Sequence, residues 1–264
     1  MEERMYRETF AAEDGHWWFL NLRKILEESI GKHVRKTADP RILDAGCGTG
    51  RNLLFYEKHG RVAGVDFSPI ALSYCRKRGL TDLAAGDVCN LPFQTGIFDI
   101  VNLTDVLYAV DPGRAHLVLQ ESCRVLKPGG CLFLNTAAMD ILRSDHDRAV
   151  KTRKRYCRPE LVEMVRNSGF ELLQARYWNS LLFVPALSYR LAKKLFNAGR
   201  RDTAGDLKMP SAWMNRLLYR SMRIDWALSG ALPFGTSLFC VARKPAPTTS
   251  RHTSTTAIRS ASRP

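Results

Sequence analysis

From residue 41 onward, short runs of apolar residues alternate with longer segments in which apolar residues recur at helical spacing. Seven runs predict strands, and they read RILD, RVAGVD, AAGD, FDIVNL, GCLFLNTA, FELLQARYW and TSLFCVAR. The predicted helices between them begin near Arg51, Pro69, Gly113 and Pro159. This alternation predicts an α/β fold with a doubly wound, seven-stranded, mostly parallel sheet and helices on both faces.

Two helices are predicted ahead of this alternation, one before Gly15 and one from about Leu20 to His33. The segment GHWWFLNLR that joins them is unusually aromatic for a surface connection. Two interpretations fit it: a hydrophobic staple that holds the helices to the sheet, or a lid that places a ring against a bound cation. A staple over the open strand ends is also a lid, so residues 1–39 are predicted to form an N-terminal helical lid in which Trp18 contacts the substrate.

The insertion between the last two predicted strands, residues 179–235, carries two amphipathic helical patterns. The first pairs an apolar face of Val184, Leu187, Leu191 and Leu195 with Arg190, Lys193 and Lys194. The second pairs Trp213, Leu217, Ile224 and Leu228 with Arg216, Arg220 and Arg223. Such helices usually pack on their own domain, although basic amphipathic helices also lie in membrane surfaces. The insertion leaves from the predicted active-site edge of the sheet, so we expect it to cover the substrate.

The net charge of +14 and the pI of about 9.7 are typical of nucleic-acid-binding proteins. The excess is uneven, because residues 179–235 contain nine Lys or Arg against three Asp, and residues 242–264 contain five against no acid. We therefore do not expect a nucleic-acid partner. Residues 1–244 are predicted to form one domain, and the Ser-, Thr- and Pro-rich residues 245–264 a disordered basic tail.

The sequence contains no apolar run near the roughly 18 residues that suggest a membrane span. The N-terminus is charged from its second residue, unlike a signal peptide. These features predict a cytoplasmic protein whose membrane contact, through the basic insertion, would be peripheral. The seven cysteines include no C-x-x-C pair, so neither a disulfide framework nor a metal site is expected. The oligomeric state is not predicted.

The stretch RILDAGCGTG combines a strand that ends at Asp44 with a turn containing Gly46, Gly48 and Gly50. Glycines permit positive φ and allow a ligand to lie against bare backbone. Asp66 ends the second strand, where an acid can accept hydrogen bonds from ribose hydroxyls. Asp87 closes the third, where it can accept a hydrogen bond from an adenine amino group. Ligands bind at this edge of a doubly wound sheet, so the pattern predicts an adenosine-containing cofactor.

Each feature has a plainer alternative: an ordinary βα turn, a cap by Asp66 on the helix that begins at Pro69, and a turn aspartate at Asp87. Three acids at successive strand ends favour the cofactor. The turn is G-x-G-x-G, and Arg51 stands where the dinucleotide fingerprint G-x-G-x-x-G has its third glycine, which disfavours a nicotinamide-dependent oxidoreductase. Asp44 would repel a pyrophosphate and suits an ammonium group. S-adenosylmethionine has that amine, a ribose and an adenine.

These motifs resemble the class I S-adenosylmethionine-dependent methyltransferases, and within them the small-molecule branch of the ubiquinone and menaquinone biosynthesis methyltransferases. The resemblance rests on LDAGCGTGRNL, VAGVDFSPIALSYCRKRG, AAGDVCNLPF, FDIVNLTDVLYAVDP and RVLKPGG. With the strand-end acids, it implies a Rossmann-like fold and this set of cofactor contacts: Arg23, Asp44, Gly46, Gly48, Asp66, Phe67, Asp87, Val88 and Thr104.

Within that set the resemblance implies that Asp87 and Val88 contact the adenine. Thr104 would lie beside the methionine portion, and Arg23 would bind the methionine carboxylate. Relatives often have a histidine before Val-x-Asp-Pro, whereas Ala109 stands there in this sequence. Any catalytic role that the histidine has in relatives therefore cannot be assigned to Ala109.

Methyl transfer needs an aligned nucleophile, and it needs a base only when the nucleophile must lose a proton. Tyr108, His146 and Asp147 are the predicted catalytic residues, and Tyr108 and His146 are also predicted to contact the acceptor. The alternative for His146 and Asp147 is a solvated pair on a polar loop. We expect a small-molecule acceptor, with hydrophobic or lipid-linked molecules fitting the insertion. A nucleic-acid methyltransferase and a non-catalytic cofactor-binding module are the competing hypotheses.

Overall fold

The computed structural model describes residues 3–143, 147, 150–188, 209–230 and 232–246. Seven strands there form one sheet in the order β3-β2-β1-β4-β5-β7-β6. The strands are β1 (Arg41–Ala45), β2 (Arg61–Asp66), β3 (Leu83–Ala85), β4 (Phe98–Thr104), β5 (Leu126–Ala137), β6 (Glu171–Trp178) and β7 (Ser237–Arg243). The helices are α1 (Glu3–Ala12), α2 (Trp17–His33), α3 (Arg51–Tyr56), α4 (Pro69–Lys77), α5 (Ala115–Val125), α6 (Arg158–Asn167) and α7 (Ala212–Leu228).

The sheet is mostly parallel, as predicted. β1 pairs in parallel with β2 and β4, and β4 with β5, whereas β7 is antiparallel to both β5 and β6. The chain winds outward in two directions from β1, so the switch in strand order falls between β1 and β4. The crevice outside the carboxyl ends of these two strands is where such sheets bind ligands.

The aromatic segment near the N-terminus is the first turn of α2 and not a connection before it. The prediction that this helix begins near Leu20 was wrong by one turn, because the His16 side chain accepts a hydrogen bond from the backbone N–H of Trp18 and caps the helix at Trp17. Trp18 stacks on Trp178 of β6, with ring centroids 5.7 Å apart. The segment therefore staples α2 to the sheet.

The insertion packs on α2 through α7, but with the face opposite to the one expected. Met222 and Trp226 are buried, whereas the predicted apolar face, including Trp213 and Ile224, is exposed. Residues 183–188 are helical, and the rest of the first predicted insertion helix lies outside the described residues, as does the tail from residue 247. Among the described helices, none is long and apolar enough to cross a bilayer.

Candidate active site

The glycines of the turn after β1 have positive φ angles, which other residues adopt only at a free-energy cost. Gly46, Gly48 and Gly50 have φ angles of 79°, 55° and 84°. At Gly46 an added Cβ would lie 2.3 Å from a methyl carbon of Val106, so the segment after β4 packs directly on the turn. The turn is therefore fixed against the carboxyl end of β4.

Asp66 at the end of β2 organises the other side of the turn. Its two carboxylate oxygens accept hydrogen bonds from the backbone N–H groups of Gly48 and Ser68, each at 2.9 Å. Burial raises the pKa of Asp66, and these two N–H groups oppose the rise. Each oxygen keeps a further lone pair for ligand hydroxyls. Phe67, the next residue, is 75% exposed and offers an aromatic face at this edge.

Asp44, on β1, is a buried acid of the site. One oxygen accepts a hydrogen bond from the side-chain amide of Asn102 at 2.6 Å, and the other is buried with no hydrogen-bond partner in the described structure. Burial raises the pKa of Asp44 to about 7. Thr104 lies alongside, and its hydroxyl oxygen accepts from the side-chain amides of Asn102 and Asn52 at 2.9 and 3.1 Å. A ligand ammonium would satisfy the open acceptor of Asp44.

Asp87 lies two residues beyond β3 and is exposed. Its carboxylate accepts from the backbone N–H of Cys89 at 2.9 Å and from the guanidinium of Arg114 at 2.8 Å. These contacts lower its pKa. Val88 beside it packs against the main core. The predicted adenine contacts therefore lie on the rim of the crevice, with Asp87 held by an ion pair.

Arg23 of α2 is buried, and its guanidinium donates to the backbone oxygen of Glu13 at 2.6 Å. Burial, and next the neighbouring charge of Arg51, lower its pKa to about 10, so it stays a cation at neutral pH. Both arginines line a groove of about 630 Å³ between α2 and α3, which Tyr219 of α7 also borders. Arg51 pairs with Asp14. The Arg23 guanidinium donates to a neutral backbone carbonyl, so its positive charge suits binding of a ligand carboxylate.

The predicted catalytic residues have different surroundings. Asp147 is buried in an ion pair with Arg155 at 2.8 Å, so the alternative of a solvated pair is wrong for this residue. His146 lies outside the described residues. The backbone oxygen of Tyr108 accepts from the N–H groups of Arg153 and Lys154. Burial, and then the charge of Asp105, raise the pKa of Tyr108, which keeps its phenol neutral.

Asp105 is a site residue that the sequence analysis missed. It follows β4 directly and adopts a φ of 62°, which is unusual for a non-glycine residue. Its carboxylate accepts from the side-chain amide of Asn135 at 2.9 Å, and burial raises its pKa to about 7. Its neighbour Val106 contacts the glycine turn. The available signal was an acid directly after a strand end, as at Asp66.

A buried polar cluster, also missed, ties the N-terminal helices to the glycine turn. Glu13 accepts hydrogen bonds from the hydroxyl of Thr49 within the turn and from the guanidinium of Arg78, the latter at 2.7 Å. Arg78 also donates to the backbone oxygen of Thr49 at 3.0 Å and lies over the ring of Phe10. The connection between α1 and α2 is thereby anchored beside the cofactor crevice.

Comparisons with known proteins agree with this geometry. Residues 43–134 match the family model described as a methyltransferase domain. A malonyl-[acyl-carrier protein] O-methyltransferase of Legionella pneumophila is 32% identical over 115 residues, which cover 41% of this chain and 40% of that protein. A demethylmenaquinone methyltransferase of Staphylococcus haemolyticus is 32% identical over 132 residues, 46% of this chain and 54% of that protein.

The names of other matching proteins indicate different methyl acceptors. The human tRNA N(3)-cytidine methyltransferase METTL6 is 34% identical over 131 residues, 44% of each chain. The solved structure of geranyl diphosphate C-methyltransferase from Streptomyces coelicolor, in complex with Mg²⁺, geranyl diphosphate and S-adenosyl-L-homocysteine, shares the fold with a TM-score of 0.55. That likeness is at 15% identity and covers 86% of this chain and 82% of that one.

Residues 43–134 therefore match a methyltransferase domain, and the fold and the strand-end acids around this segment resemble those of the class I S-adenosylmethionine-dependent methyltransferases. The curated relatives it matches include methyltransferases of a malonyl thioester carrier, of a quinone precursor and of tRNA. The chain spans about half the length of these relatives. S-adenosylmethionine is the cofactor of this class, and the open acceptor on Asp44 and the exposed ring of Phe67 fit it.

Proposed function

We propose that this protein transfers the methyl group of S-adenosylmethionine to a small, hydrophobic or lipid-linked acceptor. The observation that carries the proposal is the buried, partnerless oxygen of Asp44 beside the glycine turn. A buried acceptor without a donor costs free energy, and the methionine ammonium is the donor that fits a carboxylate there. A dinucleotide would bring phosphates to the same place and be repelled.

The remaining cofactor contacts follow from the positions of the predicted residues. Asp66 accepts hydrogen bonds from the ribose hydroxyls, and the ring of Phe67 covers the adenosine. Arg23 binds the methionine carboxylate. Asp87 and Val88 border the adenine at the rim, and Thr104 lies next to the methionine portion. When bound, the cofactor supplies an electrophilic methyl group, so the main task of the chain is to align the acceptor behind it.

The acceptor would lie over the carboxyl ends of β4 and β5, where Asp105, Tyr108 and Asp147 are found. Asp105 is the residue best suited to take a proton from the acceptor, because its pKa of about 7 lets it act as a base near neutral pH. Tyr108 and Trp18 would shape the apolar side of this space, and His146 remains a predicted contact. Asp147 would orient the site through Arg155.

The insertion would select the acceptor while leaving cofactor binding alone. It contributes none of the cofactor residues, and α7 is tied to the carboxyl end of β6, which runs in the same direction as β1. Lipid-linked acceptors are presented at membranes, so we place the protein in the cytoplasm with a peripheral membrane contact through this insertion.

The test is mass spectrometry of cell extracts incubated with the protein and S-adenosylmethionine carrying an isotopically labelled methyl group. We expect label in small molecules of the organic-solvent fraction and none in RNA. Label confined to RNA would favour the function named for the tRNA-modifying relative. No label in any fraction, with cofactor binding intact, would favour a non-catalytic binding module.

A further inference from the structure

A line of large apolar side chains is exposed along one side of α7. Trp213, Leu217, Ile224 and Leu228 are 65%, 51%, 60% and 54% exposed. At about 100° per residue these positions fall within roughly 60° of the helix circumference and extend over about 22 Å. We call these four residues the α7 stripe. Several large apolar side chains exposed along one side of a helix favour an interaction site.

The exposure does not come from a loosely placed helix. The side chain of Asn215 accepts from the backbone N–H of Trp17 at 2.9 Å and donates to the backbone oxygen of Gly15 at 2.8 Å. Further along, Glu28 of α2 accepts from the indole N–H of Trp226 at 3.0 Å and pairs with Arg223. The inner side of α7 is therefore bound to α2, and the stripe faces away from it.

Asp225 fixes the same helix relative to the active-site edge. Its buried carboxylate accepts hydrogen bonds from the consecutive backbone N–H groups of Asn179, Ser180 and Leu181, at 2.6 to 2.8 Å. These residues follow the carboxyl end of β6. The stripe therefore belongs to a rigid element anchored at the edge of the sheet that also carries the glycine turn.

The charge around the stripe is positive. Arg216 and Arg220 are exposed along one border, and the only acid in α7, Asp225, is buried. A second copy of the chain docked on this face would bring these arginines against each other. The chain's own residues 189–208 contain six Lys or Arg against two Asp, so they also carry the wrong charge to cover it. An apolar stripe with a basic border fits an anionic lipid surface.

We propose that the α7 stripe inserts into the interface of an anionic lipid membrane, with Arg216 and Arg220 at the level of the lipid headgroups. This surface is separate from the cofactor site, and the inference stands whether or not the protein transfers methyl groups. It places the sheet edge with the glycine turn next to a bilayer, where apolar molecules concentrate.

The experiment measures co-sedimentation of the full chain with mixed phosphatidylcholine–phosphatidylglycerol vesicles and with phosphatidylcholine vesicles. We expect binding to the mixed vesicles that weakens with added salt. Ile224→Ser should reduce it about tenfold, because burial of such a side chain contributes about 1.5 kcal/mol or more. The matched control is Ile141→Ser, since Ile141 is 66% exposed outside α7. Arg216→Gln and Arg220→Gln should each weaken binding about fivefold, at about 1 kcal/mol per basic residue.

Several outcomes overturn the proposal. Wild-type protein that stays off the mixed vesicles contradicts it, as does equal loss in Ile224→Ser and Ile141→Ser. Vesicle binding that appears only after deletion of residues 189–208 would indicate that this segment, and not a membrane, is the partner of the α7 stripe. A dimer in sedimentation velocity that Ile224→Ser dissociates, without vesicle binding, would assign it to a second copy. Calorimetry with S-adenosylhomocysteine should be unchanged in Ile224→Ser, which separates this test from the cofactor site.

Discussion

The side-chain amide of Asn102 donates a hydrogen bond to one oxygen of Asp44 at 2.6 Å, and the other oxygen is buried without a partner among the described residues. The two residues are register neighbours on β1 and β4, the strands between which the strand order reverses. The amide thus orients the carboxylate, and the other oxygen keeps the capacity to accept a hydrogen bond. We expect a carboxylate in this state to attract a cationic ligand group.

Asp44 should make cofactor affinity depend on pH. Its pKa of about 7 means that the buried carboxyl takes up a proton as the pH falls through neutrality, and the protonated form no longer attracts an ammonium group. Calorimetric affinity for S-adenosylmethionine should therefore rise from about pH 6 to about pH 7.5, by up to about tenfold for each pH unit below the pKa. Asp44→Asn should bind more weakly with a flatter pH dependence. The same steep dependence in Asp44→Asn would contradict the assignment.

Asp66→Ala should reduce the affinity for S-adenosylhomocysteine by about one to two orders of magnitude, because charge-assisted hydrogen bonds to the ribose contribute about 1.5–3 kcal/mol. Asp66→Asn keeps one acceptor oxygen and should lose less. Asp87→Ala serves as the comparison, since that carboxylate lies on the rim and is held by Arg114. The affinities are measured by isothermal titration calorimetry. A larger loss of affinity in Asp87→Ala than in Asp66→Ala would refute the assignment of Asp66 to the ribose.

Arg23→Ala should weaken the binding of S-adenosylmethionine and leave the binding of adenosine nearly unaltered, because only S-adenosylmethionine has a carboxylate. Lys24→Ala is the matched control, since Lys24 lines the same groove but is exposed. Arg23 also supports the backbone at Glu13. Equal losses for both ligands would show that this structural contact, and not anion binding, is its role.

Glu13 should couple the N-terminal helices to the stability of the glycine turn. Glu13→Ala leaves Arg78 buried beside Thr49, and breaking a buried pair in this way costs about 3 kcal/mol of the free energy of unfolding. Asp14 also contacts Arg78, which keeps the loss at the low end of the usual range. The double change Glu13→Ala with Arg78→Leu should recover part of it. The free energies of unfolding are measured with urea. A loss in the double variant that equals the sum of the losses in the two single variants would contradict the coupling.

The parallel sheet and the cofactor edge could be predicted because both depend on local patterns. Apolar runs marked the strands, and the acids Asp44 and Asp66 at strand ends marked the crevice. Asp105 directly follows a strand, which is a local signal, but its left-handed backbone and its contact with Asn135 are seen only in the folded sheet. The tether between Glu13 and Thr49 joins positions 36 residues apart, which no local pattern indicates.

The orientation of α7 could not be predicted for a different reason. Apolar residues occur on both sides of this helix, and the more continuous line, which includes Leu217 and Leu228, was expected to be buried. The structure buries the side with Met222 and Trp226, because Asp225 on that side caps the chain after β6 and Glu28 binds the indole. Tertiary hydrogen bonds, and not hydrophobic periodicity, therefore determine which face of α7 is buried.

We expect the G-x-G-x-G turn and Asp44 together to form a site for S-adenosylmethionine. The most direct measurement is a calorimetric titration of the full chain with S-adenosylhomocysteine and, separately, with NAD. We expect saturable binding of S-adenosylhomocysteine that Asp66→Ala weakens, and no binding of NAD. Binding of NAD in preference, or no heat with S-adenosylhomocysteine from a folded protein, would contradict it.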